Sequence, residues 1–149
     1  MISILIHEVK IDILDHKYKF IRDIVVVNGI RMAHLEEIAA MKIKATCDPF
    51  SGRKTQKDLA DIATLLDIYS VNEMIGFFKE KYPTMALYSE NVILLLNKDF
   101  DLAERNSKMP RMFNGLTWEK TKQKIENRLR EYFDDLLKER EIKLKGNNK

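Results

Sequence analysis

The chain has 149 residues, 45% hydrophobic and 33% charged, with a formal net charge of +3, which suits one globular domain and gives no argument by itself for nucleic acid. A single cysteine, Cys47, excludes an intrachain disulfide. The start MISILIHEVK lacks the pattern of a secretory signal, and no apolar run approaches the ~20 residues of a membrane helix, so a cytoplasmic location is expected.

Two segments rich in Ile and Val come first, residues 2–14 and 19–32, and both predict β-strand. Gly29 indicates a bulge or a bend in the second segment. On the first strand, alternation of side chains places Lys10 and Asp12 together on the polar face. The prediction for residues 1–33 is a short antiparallel strand unit.

After Ala33 the apolar spacing becomes helical, and Ser70 and Thr117 are the expected N-caps of two helices. Residues 100–115 are expected to be a connection with one short turn of helix. The predicted helices cover 34–46, 57–69, 71–82, 84–98 and 118–144. The predicted fold class is therefore α+β and mostly helical, with a strand unit before a helical bundle; the helical domain spans 34–145, and 146–149 is a disordered tail.

Lys42 stands on the side of the first helix that should be buried. At about 100° per residue, Leu35, Ile38 and Thr46 share one face, and Lys42 falls in its middle. An unpaired buried ammonium is costly, so a lysine there needs a carboxylate or a phosphate, unless its head reaches water. A short loop joins this helix to the next, and the two should pack antiparallel. The candidate partners are three carboxylates, and Lys42 is expected to pair with Asp12, Asp58 or Asp61.

Charged residues also gather at the entrance of the second helix. Arg53, Lys54 and Lys57 beside free backbone N–H groups suit an anion, although a flexible basic loop is a common alternative. Lys57 and Asp61 are four residues apart, which favours a surface ion pair worth only ~0.3–0.5 kcal/mol. The face with Lys10 has two interpretations as well, a solvent-facing stripe or a metal-binding carboxylate beside a phosphate-binding lysine.

Three motifs follow one another along the chain: KID at 10–12, EEIAAMKIKA at 36–45 and RKTQKDLADIATLL at 53–66. Together they resemble the later motifs of AbiEii-type nucleotidyltransferase toxins, which belong to the polymerase-beta-like nucleotidyltransferase superfamily. The helix from Trp118 is similar to the end of such chains, so the resemblance covers roughly 9–135. Its most specific part is the lysine helix followed by an arginine-containing loop and KDLAD.

The resemblance implies a magnesium-dependent nucleotidyl transfer, in which metal ions neutralise the phosphates of an NTP. Asp12 matches the third metal-binding carboxylate of the family and is the implied catalytic and metal residue. The other matching positions are implied to bind the nucleotide or its phosphates (Lys10, Lys42, Arg53 and Lys57) or to support them (Asp58 and Asp61).

The first motif of the family, Gly-Ser or Gly-Gly followed by Asp-x-Asp, does not occur in this sequence. The DFD at 99–101 lies far downstream and has no glycine loop before it. The chain therefore resembles the carboxyl-terminal part of such an enzyme, either a truncated product or one half of a split enzyme. The resemblance implies that residues 1–33 are a remnant or half of the nucleotidyltransferase sheet. We expect it to be inactive alone and to hold no cofactor tightly; Mg²⁺ and NTP belong to the complete enzyme.

The expected partners are a missing amino-terminal half, the cognate antitoxin of a toxin–antitoxin system in abortive infection, or a second copy bound through the exposed strand edge. A non-enzymatic interaction module or a degenerate relic of the enzyme is the alternative function. Weak RNA binding is a third reading, against which the modest charge and the lack of an aromatic-basic stripe count.

Overall fold

The computed structural model describes residues 2–13, 17–47, 55–88, 100–112 and 114–146. Within these ranges the fold is α+β, and the predicted class is confirmed. The strands are β1 (Ile2–Ile6), β2 (Val9–Ile13), β3 (Val25–Val27) and β4 (Ile30–Met32). The helices are α1 (Leu35–Cys47), α2 (Gln56–Leu65), α3 (Val71–Lys81), a 3-10 helix (Pro83–Tyr88), α4 (Phe100–Asn106) and α5 (Trp118–Gly146). None of these helices is long and apolar enough to cross a membrane.

Each segment rich in Ile and Val folds into its own antiparallel hairpin, β1–β2 and β3–β4. The turns lie at His7 and Glu8 and at Asn28 and Gly29, and all four residues have positive φ. Two successive residues with positive φ form the tight turn whose twist matches that of the flanking strands, and Asn-Gly is its most favoured sequence. Gly29 therefore marks a hairpin turn, which divides the segment that we expected to be one strand.

The hydrophobic core lies among the helices. Helix α1 packs on α3 and α2, and α5 packs across α2 and α3. Helical spacing in the sequence predicts Leu59, Ile62, Ala63 and Leu66 on the core face of the second helix, and all four are buried. Among the residues that the structure describes, the largest fully buried apolar side chains are Leu59, Ile62, Met74, Phe78, Tyr82 and Ile125.

The buried face of α1 is turned relative to the predicted one. Of the predicted face, Leu35 is exposed, Ile38 is half-buried and Thr46 is buried. Ala40 and Ile43, which lie outside that face, are buried as well. The reason is that α1 packs mainly on α3 and meets α2 at one edge. Lys42 lies on this edge rather than in the middle of the buried face.

Several predicted helix boundaries change in the structure. Helix α2 ends at Leu65 instead of residue 69, and α4 is a seven-residue helix where one turn was expected. The predicted helix at 84–98 begins as the 3-10 helix, and its residues 89–98 lie outside the described ranges. Helix α5 reaches Gly146 rather than residue 144, and of the expected tail the residues 147–149 are not described.

Ser70 caps α3 as predicted. Its hydroxyl accepts a hydrogen bond from the Glu73 backbone N–H at 3.2 Å, and the Glu73 carboxylate accepts one from the Ser70 backbone N–H at 2.7 Å. These two bonds satisfy amides that the first turn of a helix leaves unpaired. The Ser70 N–H first, and its hydroxyl second, lower the pKa of Glu73, so this contribution to stability is lost as the pH falls through the folded-state pKa.

We expect Ser70→Ala to lower the free energy of unfolding by about 1 kcal/mol, as loss of an N-cap does in other helices. Urea denaturation at neutral pH measures this difference. Asn72→Ala is the matched control, since Asn72 is exposed in the same turn, and it should change stability by less than about 0.5 kcal/mol. Equal effects of the two variants would contradict a specific role for the cap.

Candidate functional site

Lys42 extends from the edge of α1 toward the first turns of α2. Its Nζ lies 2.6 Å from Asp61 Oδ2 and 3.2 Å from Asp58 Oδ1. The Lys42 side chain is only 25% exposed, so the ammonium is sheltered rather than extended into water. The predicted pairing of Lys42 with these two carboxylates is confirmed. The Lys42 cluster is the name used for four residues, Lys42, Thr55, Asp58 and Asp61.

The start of α2 orients the carboxylates of the Lys42 cluster. Thr55 is the N-cap of α2, and its hydroxyl accepts a hydrogen bond from the Asp58 backbone N–H at 3.2 Å. The same hydroxyl donates to Asp58 Oδ2 at 2.7 Å, which leaves Oδ1 directed at Lys42. Asp61 lies three residues further along, slightly less than one full turn, on the same side of the helix. Both carboxylates are therefore held by regular helix geometry rather than by a loop.

Burial by itself lowers the pKa of Lys42, but Asp61 and then Asp58 outweigh that effect and raise it. Lys42 is therefore an ammonium at neutral pH. An ammonium has three N–H donors, and the two carboxylates occupy two of them. Among the described residues the third donor has no acceptor, and an oxygen of an anionic ligand would suit it.

Asp12 does not belong to the Lys42 cluster. It lies on β2, where it accepts a hydrogen bond from the Ser3 hydroxyl at 2.5 Å and lies 3.0 Å from Lys10 Nζ. The Ser3 hydroxyl first, and Lys10 second, hold the pKa of Asp12 below its ordinary value. Asp12 was expected as a partner of Lys42 and is not one, because the residues of both hairpins are exposed and Asp12 pairs within its own hairpin.

The remaining predicted site residues are divided between solvent and the segments outside the described ranges. Lys57 is exposed on the first turn of α2, and the expected pair with Asp61 does not form because Asp61 pairs with Lys42. Arg53 and its neighbour Lys54 lie outside the described residues. Of the seven predicted site residues, the structure brings Lys42, Asp58 and Asp61 together.

A buried ion pair between Glu37 of α1 and Lys81 of α3 was not predicted from the sequence. Both side chains are only 1% exposed. Lys81 Nζ also donates to the Lys19 carbonyl at 3.1 Å, and the Ile21 N–H donates to Glu37 Oε2 at 2.9 Å. The same helical-spacing test that selected Lys42 would have found both residues, since each is three positions from a buried apolar residue, Ala40 for Glu37 and Phe78 for Lys81.

The buried pair is part of a larger contact between residues 18–22 and the helices. The ring of Tyr18 meets that of Tyr82 edge to face, with centroids 4.6 Å apart. Arg22 pairs with Glu80 at 2.8 Å and with Glu36. These contacts attach the chain between the two hairpins to α1 and α3, while the hairpins themselves stay exposed.

A separate cleft of about 290 Å³ lies between the start of α3 and the middle of α5. Its lining includes Ser70, Arg128, Tyr132 and Asp135 and shares no residue with the Lys42 cluster. Within the described ranges, no group of three His, Cys, Asp or Glu side chains is arranged to hold a metal ion. Comparisons of the chain with protein-family models, curated proteins and solved structures find no match.

Proposed function

We propose that this chain is nucleotidyltransferase-like, of the AbiEii toxin type, and supplies the nucleotide-binding helices rather than the metal-binding motif. The observation that supports this proposal is the Lys42 cluster. Two motifs that are distant in the sequence, the lysine helix and KDLAD, meet in three dimensions through Lys42, Asp58 and Asp61. A cytoplasmic location and a role in abortive infection belong to the same proposal.

In this proposal Lys42 donates its third N–H to a phosphate oxygen of the nucleotide. Asp58 and Asp61 keep the ammonium charged and fix its position, because each accepts one of its N–H groups. Lys57, exposed on the first turn of α2, adds a second cation at the helix N-terminus, where anions are favoured. The resemblance implies two further cations, Arg53 and Lys10, of which Lys10 lies on the β1–β2 hairpin with Asp12, apart from the Lys42 cluster.

The described residues alone do not fit a magnesium site. Asp12 is one carboxylate, engaged by Ser3 and Lys10, whereas binding two catalytic metal ions takes several carboxylates. The sequence contains no Gly-Ser or Gly-Gly followed by Asp-x-Asp. We therefore assign the metal-binding carboxylates to a different polypeptide segment, with Asp12 as the contribution of this chain.

The proposal predicts nucleotide binding without nucleotide transfer. The purified chain should bind a fluorescent NTP, and Lys42→Gln should weaken that binding at least about tenfold, since a charge-assisted hydrogen bond to phosphate is lost. Lys79→Gln, an exposed lysine of α3, is the control and should leave binding unchanged. With labelled NTP, Mg²⁺ and tRNA or protein acceptors, no label should be transferred.

Two outcomes would contradict the proposal. Robust labelling by this chain alone would show that it contains a complete active site, and loss of the label in Asp12→Ala would then assign that site. Equal NTP binding by the wild type and Lys42→Gln would remove the Lys42 cluster from the nucleotide site.

A non-enzymatic interaction module is the second candidate function, and the exposed hairpins favour it. Aliphatic residues of both hairpins lie open to solvent, among them Leu5 and Val26. Open strand edges pair readily with other chains, and the partner could be the segment with the metal motif, an antitoxin or a second copy. Absence of NTP binding together with stable capture of a partner would favour this function over the first.

A further inference from the structure

The pairing of β1 with β2 sorts their side chains into two unlike faces. Ser3 and Asp12 are paired on one face, with Leu5 opposite Lys10 beside them. The polar groups of this face bind one another, through the Ser3–Asp12 hydrogen bond and the Lys10–Asp12 ion pair. The other face is entirely aliphatic and consists of Ile2, Ile4, Ile6, Val9, Ile11 and Ile13.

The second hairpin repeats the same division on a smaller scale. Val26 and Arg31 are paired on one face. The opposite face consists of Val25, Val27, Ile30 and Met32. The two hairpins therefore present ten apolar side chains on two faces without a charged group, and all ten are between 37% and 64% exposed.

Within the described residues nothing covers these two faces. An isolated two-stranded hairpin is marginally stable in water, and hairpins that persist pack an apolar face against another layer. Exposed apolar area on the order of a few hundred Å² is the size at which interaction surfaces of soluble proteins are found. The apolar faces of the hairpins therefore need an occupant.

We propose that the occupant is a second copy of this chain, packed with apolar face against apolar face as in a β-sandwich, where sheets lie about 10 Å apart. A face without charged groups cannot favour a partner of opposite charge. Two identical aliphatic faces, by contrast, complement each other in a two-fold dimer. This geometry differs from pairing through strand edges, which would leave the faces of both copies in water.

The area of the two faces agrees with that of a stable dimer. Complete burial of a Val or Ile side chain removes about 60–120 Å² of apolar surface, so ten half-exposed ones provide about 300–600 Å² per copy. A standard interface buries about 800 Å² per partner and is about 57% non-polar, which amounts to about 450 Å² of apolar surface. The two hairpins together thus supply the apolar content of one standard interface.

Sedimentation equilibrium of the wild type and two lysine variants tests the proposal. Ile4→Lys places a charge in the centre of the aliphatic face, and Leu5→Lys places the same charge on the opposite face of the same strand. Leu5 is the more exposed of the two, at 71% against 42%, so the control alters a freely accessible residue. Val27→Lys and Val26→Lys form the matching pair on the second hairpin.

We expect the wild type, Leu5→Lys and Val26→Lys to sediment as dimers. Ile4→Lys should raise the dimer dissociation constant at least about 100-fold, because each dimer would bury two unpaired ammonium groups. The helical circular dichroism and its thermal midpoint should stay the same at high dilution, since the helices do not pack on this face.

Three results would overturn the proposal. One is a wild type that stays monomeric at high concentration, which would show that the faces bind a different partner. Another is a dimer that Ile4→Lys and Val27→Lys leave intact. The third is equal loss of the dimer in Ile4→Lys and Leu5→Lys, which would indicate association through strand edges.

Discussion

Lys81→Met is expected to lower the free energy of unfolding by about 3–5 kcal/mol, the cost of breaking a buried ion pair on one side. The substitution keeps most of the volume of the side chain but leaves the Glu37 carboxylate without its ammonium partner in a site that is 1% exposed. It also removes the donor to the Lys19 carbonyl, one of the contacts that hold residues 18–22 on the helices. Urea denaturation followed by far-UV circular dichroism measures the loss.

A matched control separates the buried pair from a general effect of losing a lysine. Lys79→Met removes an exposed lysine from the same helix and should change stability by less than about 0.5 kcal/mol. The double variant Glu37→Gln/Lys81→Met should recover part of the loss, because a neutral amide can still accept the N–H of Ile21. A cost below about 1 kcal/mol for Lys81→Met would contradict this account of the core.

Lys42→Met is expected to lower the free energy of unfolding by about 2–3 kcal/mol. This lies above the ~0.2–1 kcal/mol of an exposed ion pair and below the ~3–5 kcal/mol of a fully buried one, because the Lys42 cluster is sheltered only in part. Without the ammonium, Asp58 and Asp61 face each other as two partly buried like charges. Lys57→Met, an exposed lysine on the first turn of α2, is the control in the same denaturation experiment.

The stability contribution of Lys42 also has a definite pH dependence. Its pKa is raised in the folded state, so the contribution is complete below the ordinary lysine value of 10.5 and is lost as the pH rises through the folded-state pKa. The difference between the wild type and Lys42→Met should therefore shrink above about pH 10.5. A difference that stays constant through this range would contradict an electrostatic origin.

A stabilising Lys42→Met would have a separate meaning. Replacing an ion pair by an apolar side chain is neutral or favourable in some proteins, and then the lysine is kept for binding or by descent rather than for stability. The NTP-binding assay distinguishes these cases, because it compares Lys42→Gln with the wild type independently of the denaturation measurement.

Several features of the structure follow from local chemistry along the chain, and the sequence alone is enough to predict them. Ser70 and Thr117 cap helices because a hydroxyl before a helical run satisfies backbone amides that have no partner within the helix. The core face of α2 follows from its apolar spacing alone. The pairing of Lys42 with Asp58 and Asp61 was also predictable, because a short loop makes neighbours of two helices and a sheltered ammonium needs an anion.

Only the tertiary structure decided which face of α1 is buried and what lies opposite it. Periodicity defines an apolar stripe, but the choice between neighbouring stripes depends on which helix packs there, and α3 rather than α2 covers most of α1. That choice buries Glu37 against Lys81, a residue 44 positions away, and directs Lys42 to an edge. The tertiary structure also decided where Asp12 lies. Strand alternation fixes the face of a side chain within its hairpin but not the layer on which the hairpin packs, so the sequence could not show that Asp12 is on a separate hairpin.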